Sequence, residues 1–482
     1  MQETNDARQK FLWLLFSAYG LVALVLTVRH AMWRDELYFF SLGESSGSFL
    51  DLVKNQSTDY RPLGWTTISW VATKFVSSPD VLKYINWIFA LGLGYTVLFR
   101  LPIRLLAKTS FMFGFLVLIG YSHIGPDYML AFLLSALLVT VYLEQRPQYL
   151  VFIFAGLLAN THPLFWGISI GVVFLSLTMR FDLGNPEGFK WGKVRGSLGG
   201  LSLYLIALGV GVVSTTGTSD DAGSRIRIDL VVGAKRALRS VTLGLFPFIT
   251  DNGSASPLFY AGTVIGIAVI GWLAFLAYKA GKYTAVGILL INSVTLGIVA
   301  FIKGDYWWHY GVVFVNFFLS AVILINSDQL QMKRRRHIRL LLQFVLCGQV
   351  IASFVGPRTT LWETQPYSNA KSTADFLRSE CADDCTIISN SQVTGTGVSA
   401  YLGGRSIYYA DKGDFGTFTV WSGPFYAADW DRVMTAAKKF DNPIIVVSDM
   451  GPPPSELVVI KSFTGAVWAD EDFTVLRFAA QN

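Results

Sequence analysis

"FLWLLFSAYGLVALVLTVRHAMWRDELYFF" fills residues 11–40 and sets three adjacent charges, Arg34, Asp35 and Glu36, just beyond an uncharged apolar run. The run from Phe11 to Val28 has the length of a membrane-crossing helix. Arg8 and Lys10 precede it, so positive charge is expected to hold the N-terminus in the cytoplasm. No small-residue cleavage site comes before "RDE", which makes the run a retained anchor and first span rather than a removed signal peptide. Three charges at the mouth of a membrane helix are costly unless they are paired or used.

The rest of the chain has the same solvent preference. Of 482 residues, 52% are hydrophobic and 15% charged, and mean hydropathy is +0.45. An ordinary soluble domain carries roughly a quarter charged residues. Ten further apolar runs follow: 81–99, 111–122, 128–143, 150–159, 164–179, 198–213, 258–278, 283–302, 311–325 and 340–355. The reading is a mainly α, polytopic bundle of about eleven spans over residues 1–356, followed by a soluble α/β domain over 357–482. The net charge of +6 falls largely in short clusters beside the apolar runs, which suits membrane orientation and not nucleic-acid binding.

Alternating the spans from a cytoplasmic start puts "RLPIRLLAK" (100–108), "EQR" (144–146), the basic stretch 180–195, "KAGK" (279–282) and "KRRRHIR" (333–339) inside. That is the asymmetry the positive-inside rule requires. Residues 29–80, 123–128, 160–163, 214–257, 303–310 and the tail then lie outside. The expected location is a cell (inner) membrane with a periplasmic or extracellular C-terminal domain. One apolar stretch, "LGWTTISWVATKFV" (63–76), would invert every later loop if counted as a span. It is therefore read as an interfacial or re-entrant helix, with Trp65 and Trp70 at headgroup level.

In the tail, 369–380 and 429–440 read as helices and 385–389, 405–409 and 442–449 as strands. Cys381 and Cys385 in "CADDC" can form a disulfide in an oxidising compartment or stay as two thiols, and both readings stand. No sequence repeat is visible. "LGLG" (91–94) is a pair of membrane glycines rather than a phosphate-cradling loop.

Most unusual polar residues fall on the expected external side: Arg34, Asp35 and Glu36; Asp59 and Arg61; His123 and Asp127; His162; Lys303, Asp305 and His309. Each has a simpler reading. Arg34 with Asp35 can be a helix-end ion pair, Asp127 an N-cap, His162 a helix break before Pro163, and "YWWHY" an aromatic belt. Together they fit a site for an anionic, lipid-linked phosphate with a carboxylate beside it. Sugar transfer from such a donor needs a single acid residue to act as base, because phosphate leaves without being protonated. Arginine and lysine, or a metal, would stabilise the departing charge.

"WRDE" after a first span, "YRPLGW" in the same loop, "IGPDYMLAFLLSALLVTVYL" and "DYWWHYGVVFVNFFLSAVIL" together resemble the membrane-embedded GT-C glycosyltransferases. The pattern is most similar to their protein O-mannosyltransferase and aminoarabinose transferase branch, which uses polyprenyl-phosphate sugars. The resemblance implies an inverting transfer at the external membrane face. Asp35 and Glu36 match the family's catalytic acidic motif, with Asp35 as the base. Arg61 before Pro62 stands where the family commonly has Lys or His, and Arg34, His123, Asp127, Lys303 and His309 are the further substrate-binding candidates. It implies a polyprenyl-phosphate-linked sugar donor, a glycan, lipid or protein acceptor, and no nucleotide. A divalent metal ion is left open, since Asp35, Glu36 and Asp127 would gather one if they converge.

Two other classes compete. A transporter or lipid flippase would show internal repeats and ionisable residues near the midplane. A receptor or scaffold would account for the tail and leave the loop charges without a role.

Overall fold

The computed structural model describes residues 2–57, 59, 61–124, 127–181, 191–215, 229–249, 256–301, 307–355, 365–381, 385–421 and 427–479. It is mainly helical with a small C-terminal sheet, as the sequence predicts. Eight helices are long and apolar enough to cross a membrane, and three shorter apolar helices cover 105–121, 128–143 and 148–159. These eleven segments coincide with the eleven apolar runs. Helix α1 is Gln2–Arg29, α2 Arg34–Glu44, α3 Phe49–Gln56 and α4 Leu63–Thr73. Helix α4 has 11 residues, one fewer than α8, so its length alone does not decide whether it crosses.

The chain clusters into two units. The first holds most of the membrane helices. Within it, α7 is Tyr128–Leu143, α8 Gln148–Ala159 and α9 Trp166–Arg180, reached through α5 (Val81–Tyr95) and α6 (Leu105–Met112). Then come α10 (Trp191–Thr215), α11 (Leu230–Leu245), α12 (Pro257–Ala280), α13 (Lys282–Phe301), α14 (Trp307–Ile325) and α15 (Met332–Phe354).

Small residues let these helices meet backbone to backbone. Gly167 and Gly171 sit one turn apart on α9, and a Cβ at either would lie 2.4 Å from an atom of Ile291 on α13. Hydrogen bonds from side-chain amides join α13 to α14: Asn316 Nδ2 donates to Ile291 O at 3.0 Å, and Asn292 Nδ2 to Ser320 Oγ at 3.3 Å. Helix α14 is the interior member, 89% of its apolar window being buried. Phe318 on α14 stacks on Phe111 of α6 with centroids 4.0 Å apart. Helix α11 was not expected; residues 214–257 read as a loop because glycine and three basic residues interrupt the apolar pattern. Its last turns, from Ser240 to Leu245, are buried.

The second unit joins Leu26–Ile85 to the described residues of the C-terminal region. There α16 (Ala370–Glu380), β1 (Thr386–Ser389), α17 (Gln392–Tyr401), β2 (Ile407–Tyr409), β3 (Asp414–Gly416), α18 (Trp430–Ala437), β4 (Pro443–Val447), β5 (Leu457–Phe463) and β6 (Phe473–Phe478) follow in order. The sheet runs β3-β2-β1-β4-β6-β5, with β1 parallel to both β2 and β4 and the remaining pairs antiparallel. Its core is Ile388, Tyr408, Val433, Ile445, Val447 and Leu476. Cys381 and Cys385 form a disulfide.

Helix α2 belongs to this unit and lies against α4. A Cβ on Gly43 would come within 2.9 Å of Trp70 Cα, so only glycine permits the approach. Ser69 Oγ donates to Phe39 O at 2.8 Å, and Trp70 Nε1 to Ser46 O at 2.9 Å.

Candidate active site

Arg34, Asp35 and Glu36 form the first turn of α2, after the extended N-cap residue Trp33. Acids are favoured here because the first turn presents free backbone N–H groups. Glu36, third in the helix, turns back on the cap: its Oε2 accepts the Trp33 backbone N–H at 3.2 Å. The same oxygen lies 2.7 Å from His30 Nε2, with both residues buried. His30 is held in turn, since Lys83 Nζ donates to its carbonyl at 3.0 Å.

Lys83 continues into an ionic chain that runs out to the surface. Its ammonium is 3.4 Å from Asp80, which pairs with Lys371 at 2.8 Å. Burial works to raise the Asp80 carboxyl, but the two lysines outweigh it and hold it below its ordinary value.

Arg34 turns to the C-terminal region. Its guanidinium hydrogen-bonds the Asp470 carboxylate and lies 3.6 Å from Glu471 Oε1 and 4.0 Å from Asp35. Trp33 beside it stacks on Trp468 at 5.2 Å. Burial pushes the Glu471 carboxyl up to about 8, against the pull of Arg34 and of the Ser368 hydroxyl.

The two acids of the motif therefore stand in different surroundings. Glu36 is enclosed and engaged by His30 and the cap. Asp35 keeps a side chain 26% exposed, with Arg34 as a cation at the edge of contact.

Arg61 approaches the same helix. Its guanidinium lies over the Phe39 ring, 4.8 Å from the centroid, and its Nε is 3.9 Å from Asp59. Gln56 Nε2 fixes the backbone there by donating to Arg61 O at 2.8 Å. Residues four apart share a helix face, so Asp35 and Phe39 point the same way from α2. Arg61 thus covers the face of α2 that carries Asp35, one turn further along.

The other unit holds the remaining candidates. Asp127 takes the N-cap position of α7 and is buried, but its side chain makes no capping hydrogen bond. The simple N-cap reading of that residue fails on this point. His123 is buried with Nδ1 3.5 Å from Ser122 Oγ. His162 caps a short turn at Pro163–Phe165: its Nδ1 accepts from Leu164 N at 3.2 Å, and its Nε2 is 3.3 Å from Tyr128 Oη. The helix-break reading of His162 accounts for that geometry. The His309 ring lies 6.3 Å from the His162 ring. Lys303 and Asp305 lie outside the described residues. Among the described residues, no three His, Cys, Asp or Glu side chains gather as a metal site would need.

The pairings of Glu36 with His30 and of Arg34 with Asp470 and Glu471 were not legible in the sequence. The first has a signal, a Glu at the third helical position behind an extended residue. The second joins positions more than 430 residues apart and has none.

No family model and no curated protein matches the chain. Solved structures do. ArnT from Cupriavidus metallidurans in the apo state superposes over 98% of this chain and 99% of its own, with a TM-score of 0.54 at 12% identity. The structure of the same protein bound to undecaprenyl phosphate matches over 97% and 98%, with a TM-score of 0.48 and 12% identity. The chain shares the fold of ArnT over 98% of its length.

Proposed function

We propose that the chain is an inverting glycosyltransferase that moves a sugar from a polyprenyl-phosphate donor to an acceptor at the external membrane face. One observation carries the reading. In a chain with the ArnT fold, the acidic motif after the first membrane helix resolves into an enclosed capping acid, Glu36, and a solvent-accessible acid, Asp35, with Arg61 over the same helix face.

In this reading Asp35 accepts the proton of an acceptor hydroxyl as the oxygen attacks the anomeric carbon. The bond from that carbon to the phosphate oxygen breaks, and the electron pair leaves with the polyprenyl phosphate. Arg61, a guanidinium suited to phosphate oxygens, stabilises the charge that collects there. Glu36 acts through position: with His30 it fixes the helix start and hence the direction of Asp35. Arg34, which the sequence placed among the substrate contacts, has the same kind of task through Asp470 and Glu471. His123, Asp127 and His309 remain substrate-binding proposals in their own right. The acceptor is a glycan, lipid or protein.

The test is transfer by the purified protein from a synthetic polyprenyl-phosphate sugar, with Asp35→Asn beside the parent. Loss of turnover by about 10²–10⁴-fold in a folded variant is expected for a missing general base. Turnover at the parent rate removes Asp35 from that role, and equal activity with a nucleotide sugar and no lipid carrier removes the donor assignment.

A further inference from the structure

A cationic pocket lies in the first unit. Arg8, Gln9 and Leu12 from the start of α1, Leu98 and Phe99 from the end of the α5 segment, and Lys108 from α6 line a cavity of about 360 Å³. Lys108 is only 6% exposed, and its ammonium donates to Leu98 O at 2.6 Å. That carbonyl belongs to a π-turn over Thr96–Arg100, which ends the helix and leaves carbonyls to be satisfied from outside. One hydrogen bond uses one of three ammonium donors.

Two features make this more than a helix-end contact. Among the described residues, neither Arg8 nor Lys108 has a carboxylate within 4.0 Å, although nearby Lys10 and Arg100 are each paired, with Asp6 and Glu144. Of the other lining residues, Gln9 is polar and Leu12, Leu98 and Phe99 are apolar. Two cations without a carboxylate partner, an amide and three apolar side chains, at the end of a membrane helix, match a phosphate with acyl chains attached.

We propose that this pocket binds the phosphate headgroup of an anionic membrane phospholipid, held by Lys108 and Arg8 with its acyl chains along Leu12 and Phe99. The site is independent of the chemistry assigned to Asp35. Filling it would neutralise a buried cation and tie the first helix to the α5–α6 connection.

The experiment is native mass spectrometry and thermal melting of the intact protein, with phosphatidylglycerol titrated against phosphatidylcholine, and inorganic phosphate as a separate arm. The parent is expected to retain phosphatidylglycerol selectively and to melt higher with it. Lys108→Gln and Arg8→Gln should each weaken retention by about fivefold, the worth of one cation near an anionic headgroup, while Lys108→Arg should keep it. Stabilisation by inorganic phosphate equal to that by the lipid overturns the lipid assignment. Undiminished retention in a folded Arg8→Gln, Lys108→Gln double variant overturns the site.

Discussion

The His30 imidazole lies 2.7 Å from the Glu36 carboxylate, both buried, on either side of the residue that starts α2. The contact closes the turn between the first membrane helix and α2. It predicts that the motif's two acids fail differently when replaced. Glu36→Ala removes a cap interaction and the carboxylate that faces a buried imidazole, a loss of about 1–3 kcal/mol. Asp35→Asn, at a partly exposed position, should change the melting temperature little while abolishing turnover. Melting curves of the two variants in one detergent decide it; equal destabilisation would make Asp35 a structural residue too.

Arg61 sets its guanidinium over the Phe39 ring, 4.8 Å from the centroid, so charge and guanidinium shape are separable there. Arg61→Lys keeps a cation but loses the planar fork that grips phosphate. Arg61→Ala loses both. With the proposed donor, kcat/KM is expected to fall in the order parent, Lys, Ala, with the Ala variant down by about 10–100-fold, the scale of one lost charge-assisted contact of roughly 1.5–3 kcal/mol. Donor KM measured across the three is the check, and an Ala variant at parent efficiency would detach Arg61 from the phosphate.

Much of the architecture is visible in the sequence because a bilayer imposes one rule on every segment. An uncharged apolar run must be a helix, and basic clusters must lie on one side, so the eleven segments could be counted without any tertiary information. The C-terminal region is less transparent. Helices 370–380 and 430–437 and strands β1, β2 and β4 are amphipathic or β-branched and were expected close to where they fall. Helix α17, "QVTGTGVSAY", was not, since glycine, serine and threonine are poor helix formers; here every residue but Val393 is buried, and packing overrides propensity. A Cβ on its Gly397 would be 3.3 Å from Leu37 of α2, a contact that no local pattern announces. The same holds for the candidate site. The acidic motif is legible, but which acid is enclosed depends on His30, Lys83 and Asp80, whose convergence is tertiary.

The α2–α4 contact gives a prediction free of any functional assumption. At Gly43 a methyl group would meet the Trp70 backbone, at 2.9 Å from Cα and 3.0 Å from N, and backbone cannot swing aside. Gly43→Ala should cost about 1–3 kcal/mol through overpacking, despite alanine's better helix propensity. A lowered melting midpoint is expected. An unchanged or raised one would show that the helices can separate at no cost.

Glu471 supplies a pH dependence with a definite sign. Its carboxyl is raised to about 8 by burial, whereas in the unfolded chain it titrates near its ordinary 4.5. Between those values the folded protein binds the proton and the unfolded chain does not, so stability falls as pH rises through that window and levels off above it. Below pH 4.5 the group is protonated in both states and contributes no slope. Glu471→Gln mimics the protonated form, keeping shape and the means to bond Ser368. Against the parent it should melt at a similar temperature near pH 5 and at a higher one near pH 8. A constant difference across that range would mean that Glu471 is ionised in the folded protein and paired with Arg34.

Orientation in the membrane is the remaining expectation, and the structure dictates how to test it. Asp127 is buried, so a cysteine there would not report accessibility whichever side it faced. Leu230, 73% exposed, and Lys333, also exposed, are better positions. The native Cys347 is free and exposed and must first be replaced, whereas Cys381 and Cys385 are paired. In a Cys347→Ser background, an impermeant maleimide added to intact cells is expected to label Leu230→Cys, and Lys333→Cys only after permeabilisation. The physical ground is that "KRRRHIR" resists translocation while the segment at 230 follows an odd number of crossings. Labelling in the reverse order would place the basic clusters outside and would also require α4 to be counted among the spans.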